Sequence, residues 1–305
     1  MSKRLLGMKY SDVRKLSSRD LLDAIALSEG RILFGECVCS TPPLLNDVSN
    51  AEVISSLSCD AVILNMFDVD KPYVASLPDH EEKDTVRTLK KMIGRPVAVN
   101  LEPVEEDKGK DSLWTMTKGR MATGENAKKA KELGVDMIVI TGNPGNQVSN
   151  AAIVSSIRQI RKAVGEDMII IAGKIHASGS LKEAGENIID EETIASFCEA
   201  GADIISVPSV GTIPGITLDR AHQLISCIHS FGKLAMCAIG TSQEGSDTDT
   251  IKTIALNCKM AGADIHHIGD SGYVGMALPE NILAYSIAIR GVRHTYHKIG
   301  QSINR

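Results

Sequence analysis

The sequence predicts a (β/α)8 TIM barrel with an extra N-terminal helix, on three observations. Eight short β-branched runs recur at spacings of roughly 30 to 40 residues, the size of a βα unit. Between them lie amphipathic stretches that end on glycine, which tolerates the left-handed position after a helix C-terminus. Strands that alternate with helices are joined by crossovers and so run parallel. Eight such units close into a barrel. An open doubly wound sheet usually has about five to seven strands and often a GxGxxG turn after the first, and neither fits here.

The runs begin at Arg31 (RILFGECVCS), Asp60 (DAVILNMFDV), Arg95 (RPVAVNLEPV), Val135 (VDMIVITGN), Asp167 (DMIIIAGKIH), Ala202 (ADIISVPSVG), Lys233 (KLAMCAIGTS) and Ala263 (ADIHHIGDSG). NAKKAKELG, ETIASFCEAG, RAHQLISCIHSFG and TIKTIALNCKMAG read as helices that stop at their glycine. Residues before Arg31 (SSRDLLDAIALSEG) read as a helix covering the bottom of the barrel, and the segment after Pro279 as the eighth helix with a short tail. With no linker or low-complexity stretch, the reading is one domain over 1–305, with 1–30 as its helical extension. Two long connections, Asp70 to Asp84 and Glu105 to Gly124, leave the carboxyl ends of strands two and three and would lie over the mouth.

Of 305 residues, 43% are hydrophobic and the net charge is -5. That charge argues against a nucleic-acid binder and leaves room for a local pocket holding a small anion. Seven cysteines without a CxxC pair or zinc-like spacing suit a reducing compartment. The first residues lack the apolar core of a signal peptide, and no run approaches about 18 apolar residues. The expectation is a cytoplasmic protein without a membrane partner, free to form a homo-oligomer through its helical faces.

Polar residues late in the strands mark the chemistry, because barrel strands are normally apolar on both faces. They are Glu36, Asn65, Asn100 with Glu102, Thr141 with Asn143, Lys174 with His176, Ser206 with Ser209, Thr241 with Ser242, and His266 with His267. Burying so many polar groups is costly unless they pair or face water, so they are expected as a ring around the open end, where barrel active sites lie. Lys174 is the expected electrophilic or Schiff-base group, with an anchor paired to Glu36 or Glu102 as the plainer role. Glu102 and His176 form the expected acid–base pair, while Glu36 and Asn100 position the substrate. Of the adjacent histidines only one can face inward, and parity with Asp264 selects His266. Glu36, Glu102, His176, His266 and Asp270 could hold a divalent metal, although their spacing implies no particular cofactor. Cys37 reads as core.

The loops GTSQEGSDTDT (240–250) and GDSGYVG (269–275) follow strands seven and eight, where many barrels hold a phosphate. Gly240, Thr241, Ser242, Gly269, Ser271 and Gly272 are the expected anion donors, joined by Asn65, Thr141, Asn143, Ser206 and Asp270 in substrate binding. Asp247 or Asp249 reads as a helix N-cap.

On this repeat architecture and these two loops, the chain resembles the phosphate-binding TIM barrels, a superfamily of lyases, epimerases and synthases. It also looks like a bacterial barrel family loosely labelled phosphonomutase-like. The KKCGH-type signature of the phosphoenolpyruvate mutase and isocitrate lyase family is absent. The resemblance implies a small, phosphorylated carbonyl or sugar substrate, with carbon–carbon cleavage or isomerisation as the reaction. A metal-dependent lyase or hydrolase, and a ligand-binding barrel without catalysis, are the alternatives.

Overall fold

A computed structural model describes residues 3–103, 116–142, 148–176, 184–270 and 274–305. Its eight strands each fall inside one of the eight runs: β1 (Ile32–Val38), β2 (Ala61–Asn65), β3 (Val97–Leu101), β4 (Met137–Ile140), β5 (Ile169–Gly173), β6 (Ile204–Pro208), β7 (Leu234–Ala238) and β8 (Ile265–Ile268). They pair in parallel in chain order, and β8 closes the ring on β1. The helices are α1 (Tyr10–Val13), α2 (Ser18–Ala26), α3 (Asn50–Ser56), α4 (Thr85–Ile93), α5 (Gly124–Leu133), α6 (Asn150–Val164), α7 (Glu191–Ala200), α8 (Leu218–Ser230), α9 (Thr248–Ala261) and α10 (Pro279–Gly300). None of the described helices is long and apolar enough to cross a membrane.

Side chains of successive strand residues point to opposite faces, and here the two faces build two separate cores. Leu33, Val62, Leu64, Val99, Ile138, Ile170 and Ile205 pack outward against the helices. Ile32, Phe34, Ala61, Ile63, Ala98, Met137, Ile169, Ile204 and Ile265 fill the lower barrel interior. The N-terminal segment closes that interior from below. A capping box between Ser17 and Asp20 starts α2, satisfying two backbone donors that the helix leaves open. Leu21, Ala24 and Ile25 then recur at helical spacing and sit in the same inner cluster, with Leu5 and Met8 beside them.

The amino-end rim follows a repeating rule. Asp60, Asp136, Asp203 and Asp264 each stand one residue before an even-numbered strand. Their carboxylates accept the backbone N–H of Leu33, Val97, Ile170 and Ala235 at 2.8–2.9 Å, on the odd-numbered strand before. The N–H of each aspartate returns a bond to the carbonyl of that same residue. Each carboxylate also meets cationic or histidine partners: Arg290 and Lys298 at Asp60, Lys90 at Asp136, Arg19 and Arg161 at Asp203, and His229 at Asp264. Two residues upstream, the chain turns out of each helix in a left-handed conformation, at Gly134, Gly201 and Gly262 and at Ser58 in the first repeat.

Candidate active site

Above the plugged bottom, strand parity brings the polar residues into the barrel interior at the carboxyl ends. A cavity of about 270 Å³ lies there. Glu36, Asn65, Asn100, Glu102, Thr141, His176, Ser206, Gly240, Gly269 and Asp270 line it, ten of the residues anticipated from sequence. Its apolar part comes from Ile63, Val139, Met236 and Ile239.

Two hydrogen-bonded sets organise one side. His267 Nε2 lies 2.7 Å from Glu36 Oε2, across the β8–β1 closure. Asn65 Nδ2 donates to Asp270 Oδ2 at 2.7 Å, and Asn65 Oδ1 accepts from Asn100 Nδ2 at 3.3 Å and from the Met66 N–H at 2.8 Å. Asn65 therefore has a fixed amide orientation and presents a donor to Asp270. Burial pushes the Asp270 carboxyl up to about 7, reinforced by the charges of Glu36 and Glu244 and opposed by the Asn65 bond and His267. A carboxyl at that value can give or take a proton near neutrality. Burial also lowers the pKa of His176, against the pull of Glu36, which favours its neutral imidazole.

A third set lies by β3. Glu102 is buried and paired with Arg120, Oε1 to Nη2 at 2.6 Å. The backbone makes this pair: Glu102 N–H donates to Arg120 O, and Ala122 N–H to Glu102 O, so residues 120–122 run as a short parallel extension of β3. Gly119 allows the extension to approach the loop after β2. Its carbonyl accepts from Val69 N–H, and a Cβ there would meet Asp68 Oδ1 at 1.8 Å. Arg120 is the only lysine or arginine among the described lining residues.

Three sequence expectations need correction. His266 faces outward, against Tyr285 of α10 and the Gly30 carbonyl, while His267 lines the cavity. Asp264 precedes β8 and belongs to the rim, not to the inward face; counted from the inward Ile265, the inward residues are His267 and Gly269. Lys174 is buried but is not part of the lining, whereas Ile175 and His176 both are. Lys174 keeps the parity of the outward-facing Ile170 and Ala172, and His176 reaches the lining because β5 ends at Gly173, after which strict alternation no longer governs. Thr241 and Ser242 also lie off the lining: the Thr241 hydroxyl is engaged with Thr212 O and Gln243 Oε1. Asn143, Ser271 and Gly272 fall outside the described residues, as does most of the loop from Glu105. Asp247 is the N-cap of α9, and Cys37 is buried in the outer core.

Without His266 the anticipated metal set loses a ligand. Among the described residues, no three His, Cys, Asp or Glu side chains assemble in a metal-holding geometry. Arg120 and Glu244 were missed by sequence reasoning. Both sit in short 3-10 turns between a strand and a helix, where no strand periodicity flags an inward side chain. Glu244 is fully buried on the lining, with its backbone carbonyl held by Asn281.

Fold and cavity together define a closed (β/α)8 barrel with a carboxylate-rich polar cavity at the carboxyl ends of its strands. The chain belongs to the family described as "Domain of unknown function (DUF7916)", whose model matches residues 6–305. A comparison with curated proteins finds no match. Among solved structures, the carboxyl transferase domain of Rhizobium etli pyruvate carboxylase is similar, at a TM-score of 0.54 and 13% identity over 95% of this chain and 51% of that one. The same domain with pyruvate and biocytin also has a TM-score of 0.54, at 13% identity over 95% of this chain and 52% of that one. This chain thus spans about half the length of those domains. A protein of Burkholderia cenocepacia J2315 whose structure carries the term lyase/mutase is similar at a TM-score of 0.53 and 17% identity, over 89% of this chain and 85% of that one. At these identities the likeness concerns the fold.

Proposed function

We propose that this protein is a lyase or isomerase that moves protons on a small carbonyl or hydroxy compound bearing a carboxylate or phosphate. The observation that carries the reading is Asp270, a carboxyl raised to about 7 in a closed-bottom cavity beside the Glu36–His267 pair. Carbon–carbon cleavage and isomerisation next to a carbonyl both need one group to remove a proton and another to return it. Asp270 is assigned the protonated form as general acid. His267, oriented by Glu36, is assigned the base, with His176 as the second imidazole facing the same space. Asn65 and Asn100 position Asp270. Arg120, held by Glu102, offers a guanidinium to the anionic end of the substrate, with close backbone approach at Gly240 and Gly269. Lys174 has no part in this reading. The carboxyl transferase and lyase/mutase descriptions of the similar structures are compatible with carbonyl chemistry of this kind.

The test is a panel of 2-oxo acids, hydroxy acids and phosphorylated aldehydes, followed by NMR for turnover and for deuterium uptake from D2O. Turnover or exchange with wild type, lost in Asp270→Asn and His267→Gln, is the expected result. Tight binding with neither turnover nor exchange across the panel would leave a ligand-binding barrel.

A further inference from the structure

A second cavity, of about 420 Å³, opens at the amino end of the barrel between α3, α4 and the last turn of α10. Its charge balance is uneven. Arg95, Arg290 and Lys298 are all buried, and the carboxylate that contacts this cluster is Asp60. Asp60 spends one oxygen on Arg290 and the other on Lys298. Arg95 has no carboxylate of its own among the described residues. It lies 3.9 Å over the Tyr10 ring, gives Nε–H to the Cys59 carbonyl and Nη2–H to the Ser55 carbonyl at 3.4 Å, and its Nη1 has no hydrogen-bond partner. A buried guanidinium without a counter-charge is costly, and an anion in the adjoining space would offset that cost. Burial, joined by the charges of Arg95 and Arg290 and opposed by Asp60, lowers the Lys298 ammonium to about 8, which agrees with a local surplus of positive charge.

Arg95 and Lys298 both line this cavity, whereas Val48, Val53, Met92 and Ile303 make its walls apolar. Glu52 also lies on the lining, with its carboxylate tied to the Ser49 N–H and hydroxyl in a capping box. Cationic groups beside apolar walls match an anion that carries a hydrocarbon chain better than a bare inorganic one. We propose that this amino-end groove binds a small aliphatic carboxylate, its charge against Arg95 and its chain along the apolar walls. The site is separate from the carboxyl-end cavity and from the reaction proposed there.

The experiment is calorimetric titration of the full chain with hexanoate, alongside 1-hexanol and inorganic phosphate. Hexanoate is expected to bind at least about tenfold more tightly than either comparison compound. Arg95→Met should weaken hexanoate about tenfold or more. Leu45→Glu should do the same by placing a like charge on the groove lining at a position 48% exposed, with the fold checked by circular dichroism. Arg120→Met should leave hexanoate binding unchanged. Equal binding of hexanol, hexanoate affinity intact in Leu45→Glu, or loss of binding in Arg120→Met would each overturn the proposal. So would the absence of hexanoate binding at millimolar concentration.

Discussion

The two ends of strand β2 show how differently one barrel treats its carboxylates. At the amino end, burial alone would push Asp60 up, but Arg290, Lys298 and the Leu33 N–H hold it at about 2. At the carboxyl end, Asn65 donates to Asp270, which has an amide where Asp60 has two cations and sits near Glu36 and Glu244 at about 7. Burial is similar in kind, so the partners decide. Charges and backbone donors make the rim carboxylate a fixed anion that stitches strands together, whereas an amide and neighbouring carboxylates leave Asp270 able to exchange a proton.

Breaking the carboxyl end should give the largest effect. Asp270→Asn or His267→Gln is expected to lower kcat/KM by about 10²- to 10⁴-fold, read once a substrate is in hand. The inflection near pH 7 in the wild-type profile should vanish in the Asp270 variant. Stability should move the other way. Because its native pKa lies above the unfolded value, Asp270 favours the folded state fully below about pH 4 and loses that contribution as pH rises through 7. Asp270→Asn should therefore melt higher than wild type at pH 8, by an amount that shrinks toward pH 5. An equal difference at both values would mean that the carboxyl is an ordinary one.

Breaking the amino end should cost stability instead. Asp60→Asn, which leaves two partnered cations buried without their anion, should cost about 3–5 kcal/mol in urea unfolding. Asp203→Asn should cost less and Asp136→Asn about 1 kcal/mol or less, since Asp136 and its Lys90 partner are each 29% exposed. The same loss at all three positions would show that the N–H bond, rather than the ion pair, dominates the rim.

Smaller effects sharpen the comparison further. Gly119→Ala should displace Arg120 and raise KM about tenfold with the fold intact, checked by steady-state kinetics and circular dichroism. At the rim, the Asp264 hydrogen bond raises the His229 pKa, so its contribution is full below about pH 6.5 and fades as pH rises through the native value. His229→Gln should thus lower the melting temperature at pH 6 and change it little at pH 9.

The fold was legible because each βα unit repeats both of its signals, a β-branched run and a helix ending on glycine. The rim was partly legible too: Gly-Val-Asp at 134–136 and Gly-Ala-Asp at 201–203 and 262–264 open strands, with Ser-Cys-Asp at 58–60 as a fourth copy. Half of the candidate site could be read the same way. Asn65, Asn100, Glu102 and Ser206 obey strand parity and reach the cavity, as Glu36 does. The His266 expectation fails because Asp264 lies outside the strand, and the Lys174 expectation because Lys174 shares the parity of the outward-facing Ile170 and Ala172. Arg120 is placed by a backbone bridge formed only after residues 102 and 120 meet, a contact that no local pattern encodes.

The poised Asp270 proton also makes ligand binding an exchange with the buffer. A negatively charged group docking beside it would strengthen its hold on the proton and draw one from solution, while a positively charged group would expel one. Heats of association measured in phosphate and in Tris, whose ionisation enthalpies differ, would therefore reveal the sign of the ligand's charge before any reaction is known.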